Sequence, residues 1–174
     1  MNKTQKTIYA GLFLAFGLLL PQIFHLFGGT GPVFLPMHIP VLLSGFFLGG
    51  PYGAIIGILT PILSSFLTGM PAVPILYFMM LELLGYGLTA GYLYRTRKWN
   101  VVTTLLVSMI IGRIFLATGV FILQPVLGLQ LSPSGYLTGA VTSGIPGMLL
   151  QLVFIPSLVK TLEKAGVSTL ARAQ

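Results

Sequence analysis

Arg113 lies in the string Ile110-Ile111-Gly112-Arg113-Ile114-Phe115, and Glu82 in Leu81-Glu82-Leu83-Leu84-Gly85-Tyr86. Each is an ionisable residue inside a long apolar run. A charge in such surroundings is costly unless it is paired or hydrated, and by default it marks a functional position. Two chemistries are open to Arg113. Its planar guanidinium can hold a carboxylate through two parallel hydrogen bonds, or it can form an ion pair with Glu82. Both roles are compatible if the pair lines a cavity, and full neutralisation by Glu82 weakens the case for an anionic ligand.

Other polar residues fall toward the outer ends of the apolar runs: Gln22, His25, His38, Thr68, Tyr77, Gln124 and Gln130. Interfacial solvation is the alternative role for each. Arg113, Glu82, Tyr77, His38, Gln124 and Gln151 are the candidate substrate-binding residues. Tyr77, Phe78, Met79 and Met80 are candidates for an apolar and aromatic wall, or for plain lipid contact. Thr60, Ser64 and Ser65 are expected to bond back to their own helix.

Several chemistries are excluded. Glu82 and Glu163 are the two acids, in segments of very different character, so neither a carboxylate cluster for a hard metal nor a glycosidase pair is expected. There is no Cys, hence no disulfide and no thiolate metal site. The spacing of His25 and His38 has no metal-ligand signature, and zinc needs more ligands than these two. No metal and no cofactor is expected. Ser44-Gly45 and Ser143-Gly144, with His38 or His25 as base, are the sole material for a small intramembrane hydrolase, and no motif supports one. No Gly-rich nucleotide loop with Lys-Ser/Thr is present, so energy for any transport must come from a partner or a gradient.

The elements that position these residues follow from composition. Of 174 residues, 55% are hydrophobic and 6% charged, against roughly 25% charged in a soluble domain. Too few charges are present to solvate a globule, so the chain belongs in a bilayer. Apolar runs, cut by Gly49-Gly50-Pro51, Thr68-Gly69-Met70-Pro71, a basic loop at 95–100 and a Pro- and Gly-containing loop at 124–133, predict spans near 8–27, 37–49, 51–68, 72–94, 101–123 and 135–159. The short 51–68 span is expected to be tilted, broken or sheltered by protein. The first run is too long for a signal peptide's apolar region and reads as a retained helix.

Charge checks the count. Nine Lys and Arg oppose two acids, for a net charge of +7. Such an excess suggests nucleic acid in a soluble protein, but in a membrane chain it reports topology. Lys3 and Lys6, then Arg95, Arg97 and Lys98, then Lys160, Lys164 and Arg172 form three clusters, separated by four spans and then two. The predicted outer loops hold no Lys or Arg. The pattern predicts an all-α integral membrane protein of six transmembrane helices, both termini cytoplasmic, with 1–174 as a single transmembrane domain and no binding to nucleic acid.

Pro21, Pro36, Pro40, Pro61, Pro74, Pro125, Pro146 and Pro156 lie in or beside spans. Broken backbone survives in a bilayer only where protein or a water-filled cavity satisfies it, which favours an internal binding site over a simple anchor. Gly11 and Ala15, four apart, share one helix face, extended by Gly17. Small residues let helices approach closely, either within the chain or against a partner.

Taken in order, several strings resemble the membrane-embedded substrate-binding (S) component of energy-coupling factor (ECF) transporters, over nearly the whole chain. Ala10-Gly11-Leu12-Phe13-Leu14-Ala15-Phe16-Gly17 resembles that family's Ala-x-x-x-Ala first helix, with Gly11 at the first Ala position. Leu35-Pro36-Met37-His38-Ile39-Pro40-Val41-Leu42-Leu43-Ser44-Gly45 resembles the loop-to-second-helix junction of a vitamin-type subgroup, and Gly49-Gly50-Pro51-Tyr52-Gly53 and Thr60-Pro61-Ile62-Leu63 continue the similarity. The resemblance implies an S-component-like bundle in a bacterial cytoplasmic membrane that captures a small water-soluble vitamin or precursor. It implies partners: a transmembrane coupling subunit docked through Gly11 and Ala15, and two cytoplasmic ATPases. It also implies a lid at Gly28 to Pro36 over a pocket drawn from spans four to six. Arg113 favours a pantothenate-like anion, with a pyridoxine-like neutral vitamin as rival. An autonomous six-helix channel or facilitator is the alternative reading.

Overall fold

The computed structural model describes residues 2–26, 28, 31–130 and 132–164. The side chains of His25 and Glu163, and residues Gly29, Thr30 and Arg172, lie outside the described residues. The helices are α1 (Lys3–Leu26), α2 (Gly31–Phe34), α3 (His38–Leu48), α4 (Gly50–Thr68), α5 (Ile75–Gly91, continued by a π-turn over Tyr92–Thr96), α6 (Val101–Val126) and α7 (Pro133–Lys164). Six segments among the described residues are long and apolar enough to cross a membrane, α2 and α3 together making the second.

Local chemistry sets several boundaries. The Asn2 side chain accepts from Gln5 N at 2.8 Å while Gln5 Oε1 accepts from Asn2 N at 3.2 Å, a reciprocal cap on α1. The Asn100 side chain accepts from Thr103 N at 2.8 Å and opens α6 right after the basic loop. Gly49 takes φ +99° between α3 and α4, a conformation that disfavours any side chain, so the chain reverses within one residue. Arg95 donates to Phe47 O in the last turn of α3, where a cation meets exposed carbonyls at a helix C-terminus. That contact joins the α3–α4 turn to the basic loop. Alternation of the six spans brings Lys3, Lys6, Arg95, Arg97, Lys98, Lys160 and Lys164 to one end of the bundle.

α3 is the centre. All eleven of its residues are buried, and it packs against α1, α4, α5 and α7. A helix apolar all round is a core helix. Of the three options for 51–68, the break is absent: α4 runs unbroken through Pro61, and it is partly sheltered, with Gly53, Ile56, Gly57, Thr60 and Ser64 buried while Ile55, Leu59, Ile62 and Phe66 are exposed. Shelter is more complete on the shorter α3, which cannot cross a bilayer alone and is covered by its neighbours.

The tightest packing is a glycine seam. A Cβ on Gly53 would stand 2.3 Å from Gly87 O, one on Gly57 2.4 Å from Leu83 O, and one on Gly45 2.6 Å from Gly87 O. With no side chain between them, the α3–α4 and α5 backbones touch, the close approach that membrane helices use in place of a hydrophobic driving force.

The two faces of α1 differ. Phe13, Gly17 and Pro21 are buried, with Phe13 stacked on Phe47 at 6.2 Å between ring centroids. Gly11 and Ala15 are exposed, and a Cβ on Gly11 would meet nothing within 4 Å.

Candidate functional site

Four elements carry the buried polar cluster. His38 opens α3, Glu82 and Tyr86 come from α5, Arg113 from α6 and Gln151 from α7. Glu82 and Tyr86 follow Phe78 at intervals of four, so all three share the inward face of α5, and all three are buried.

Glu82 Oε1 lies 2.9 Å from Arg113 Nη1 and 3.5 Å from His38 Nε2. The side chains of Arg113, Glu82 and His38 are 16%, 7% and 1% exposed. The His38 ring meets that of Tyr86 edge-on, centroids 5.0 Å apart. The Tyr86 ring sits on the bare backbone of Gly112, where a Cβ would be 2.1 Å from Tyr86 Cδ2. The residue before Arg113 is thus a glycine because an aromatic ring occupies its side-chain volume.

The ion pair leaves much unsatisfied. Arg113 Nε and Nη2, both ring nitrogens of His38, Glu82 Oε1, Tyr86 Oη, Thr104 Oγ1, Gln151 Oε1 and Gln22 Nε2 are buried and make no hydrogen bond of good geometry among the described residues, although Tyr86 Oη neighbours the Arg113 guanidinium. Buried polar atoms are normally paired. Nε and Nη2 form one edge of the guanidinium, the edge suited to a planar pair of oxygens.

The segment before α3 closes over this cluster. α2 packs on α7, where a Cβ on Gly147 would stand 2.7 Å from Val33 O. Leu35 follows at φ +50°, an uncommon conformation for a branched residue. Gln151 Nε2 donates to Leu35 O at 3.4 Å. A Cβ at Gly144 would meet both Arg113 Nη2, at 2.8 Å, and Leu35 Cδ1, at 3.2 Å, so Leu35 and the free edge of Arg113 share one small space. Above the pair, Phe78, Leu116 and Val120 form a second apolar cluster with Leu123, Leu129, Tyr136, Leu137 and Ala140.

Of the six substrate-site candidates, Arg113, Glu82 and His38 meet directly, and Gln151 joins through Leu35. Tyr77 does not: it is 38% exposed on the outer face of α5, and its neighbour Phe78 takes the inward place. Gln124 lies three helical turns beyond Arg113 on α6, about 16 Å by helical rise, and donates to Leu129 O at 3.3 Å, closing the outer loop. Thr60 bonds back to Ile56 O at 2.6 Å, and Ser64 reaches Met70 O at 2.7 Å in the turn after α4. Ser44 bonds to Val41 O at 2.7 Å and Ser143 is exposed, so no hydroxyl is paired with His38. Phe78 was among the wall candidates and Leu35 within the expected lid, whereas sequence reasoning missed Tyr86 and Gly144. The four-residue spacing of Phe78, Glu82 and Tyr86 was the available signal for Tyr86.

A polytopic helical membrane protein with a charged, partly unsatisfied site under a short loop helix is a binding architecture. Residues 5–171 match the family described as ECF transporter, substrate-specific component. The chain belongs to that family: a multi-pass membrane subunit for substrate binding in transport, not an enzyme, with ATP hydrolysis carried out by partner subunits. No curated protein and no solved structure matches the chain.

Proposed function

We propose that this chain is the high-affinity subunit that captures a small water-soluble vitamin or precursor from outside the cell membrane, with a pantothenate-like anion favoured over a pyridoxine-like neutral molecule. The observation that carries the anion reading is the Nε–Nη2 edge of Arg113, buried and without a well-formed hydrogen bond while Glu82 meets Nη1. A carboxylate fits that edge with two parallel hydrogen bonds. Phe78, Tyr86 and Tyr136 supply walls, and the α2 segment with Leu35 serves as lid.

Delivery proceeds by docking onto a transmembrane coupling subunit driven by two cytoplasmic ATPases. Gly11 and Ala15 form the docking face. Its support is that these positions are open while Gly17, on another face, is used within the chain.

Mass spectrometry of the ligand retained by purified protein, followed by calorimetry of depleted protein against a vitamin panel, tests the reading. A bound carboxylate vitamin is expected. Silence across the panel in folded protein overturns it, and saturable uptake by the chain alone in vesicles supports the facilitator instead.

A further inference from the structure

We propose that the carboxylate substrate binds together with one proton, taken from bulk water and carried by His38. This rests on the anion reading above and names what that reading requires of the site's charge.

In the free protein Arg113 and Glu82 neutralise each other. A carboxylate on the Nε–Nη2 edge adds a second negative charge to a cluster whose three protein members are nearly sealed from water. An uncompensated charge in such a place is strongly unfavourable. His38 Nε2 stands 3.5 Å from the same Glu82 oxygen that meets Arg113, and both of its ring nitrogens lack hydrogen-bond partners. An imidazolium there restores neutrality: Arg113 and His38 against Glu82 and the substrate. Without substrate the pair is already balanced, and an imidazolium would be a third, unbalanced charge.

The balance is simple. A proton from solution adds to the bare nitrogen of the imidazole, no bond in the substrate breaks, and its carboxylate stays ionised. The groups around His38 leave it as the acceptor. From α5 come Glu82, engaged by Arg113, and Tyr86, which has no basic nitrogen. From α6 comes Arg113, and from α7 Tyr136, packed on the Phe78 cluster, while Lys160 and Lys164 lie in the last turns of that helix. On α1 and α4 the titratable side chains described are Lys3, Lys6, Tyr9 and Tyr52, all in the helical turns nearest the basic end. The side chain of His25 lies outside the described residues.

Calorimetry of depleted protein with pantothenate, in buffers of different ionisation enthalpy at one pH, counts protons directly. Uptake approaching one proton is expected, with affinity falling by up to about tenfold per unit rise in pH where coupling is complete. H38Q should bind more weakly and lose the uptake. E82Q should also lose it with His38 intact, because Arg113 and the substrate then balance alone. Carboxylate binding without proton uptake overturns the proposal and leaves the anion reading standing. Uptake that persists in H38Q assigns the proton to Glu82 and overturns the role of His38. If H38Q does not fold, nitrogen NMR of the two histidines in wild-type protein decides, a ring unchanged by pantothenate at His38 being the overturning result. Binding of pyridoxine with no binding of pantothenate, nicotinate or biotin removes the anion reading and the proposal together.

Discussion

Glu82 Oε1 meets Arg113 at Nη1, 2.9 Å away, and leaves the opposite edge of the guanidinium facing Leu35 and Gly144. One ion pair therefore both joins α5 to α6 and presents half of an arginine. Arg113→Ala strands Glu82 as a buried charge, an expected loss of about 3–5 kcal/mol, visible as a lowered Tm, along with loss of carboxylate binding. Arg113→Lys keeps the charge but not the fork. It should melt closer to wild type while affinity falls about 10- to 100-fold, the worth of one charge-assisted hydrogen bond. Equal affinity of Arg113→Lys and wild type in calorimetry would show that the edge is not used.

The two glycines of α1 should separate folding from docking. A Cβ on Gly17 would stand 2.6 Å from Thr60 Cγ2, so Gly17→Leu is expected to cost about 1–3 kcal/mol by overpacking. Gly11→Leu meets open space and Ala15→Leu replaces an exposed residue, so both should leave Tm and ligand affinity near wild type while abolishing co-purification with the coupling subunit. Co-purification that survives both replacements would move the docking face elsewhere.

The glycine seam makes a third contrast. Gly53→Ala sets a methyl 2.3 Å from Gly87 O, and the partner is backbone that cannot rotate away. A loss of at least about 1–3 kcal/mol is expected. Gly139→Ala, at a helical position of α7 with nothing within 4 Å, should be neutral or stabilising by up to about 1 kcal/mol through helix propensity. Thermal melts in one detergent compare the two.

Gln151→Leu removes the hydrogen bond to Leu35 O. About 1 kcal/mol is expected from a bond of that kind, released locally. Amide exchange should rise over 31–37 while the seam between α4 and α5 stays protected, and ligand should dissociate faster. Uniform exchange across the bundle would instead mark Gln151 as a general core residue.

Much of this was legible in the chain. Runs of apolar residues, cut at Gly49 and Gly69 and flanked by Lys and Arg, predict six spans, because crossing length and positive loops are one-dimensional properties. Arg113 and Glu82 stood out for the same reason, as charges where charge is expensive. Their pairing was one of two options, and the geometry shows it, with a contact at Nη1 that leaves the Nε–Nη2 edge without a well-formed hydrogen bond.

Direction around each helix was not legible. Lipid and protein interior are alike apolar, so a membrane helix carries little of the hydrophobic periodicity that marks the inner face of a soluble one. That is why Tyr77 was placed among the substrate-binding candidates while its neighbour Phe78 takes the inward position, and why the near-complete burial of α3 was not foreseen.

By itself the sequence determined a nearly uncharged helical body of six spans, and one internal charge with one candidate counter-charge. Tertiary structure alone decided that α3 is the centre, that Gly17 faces inward while Gly11 faces out, and that His38 and Gln151 converge on Arg113 from 75 and 38 residues away in the chain. Those decisions rest on backbone contact at glycines and on buried polar atoms seeking partners, forces that act between segments and leave no local pattern in any one of them.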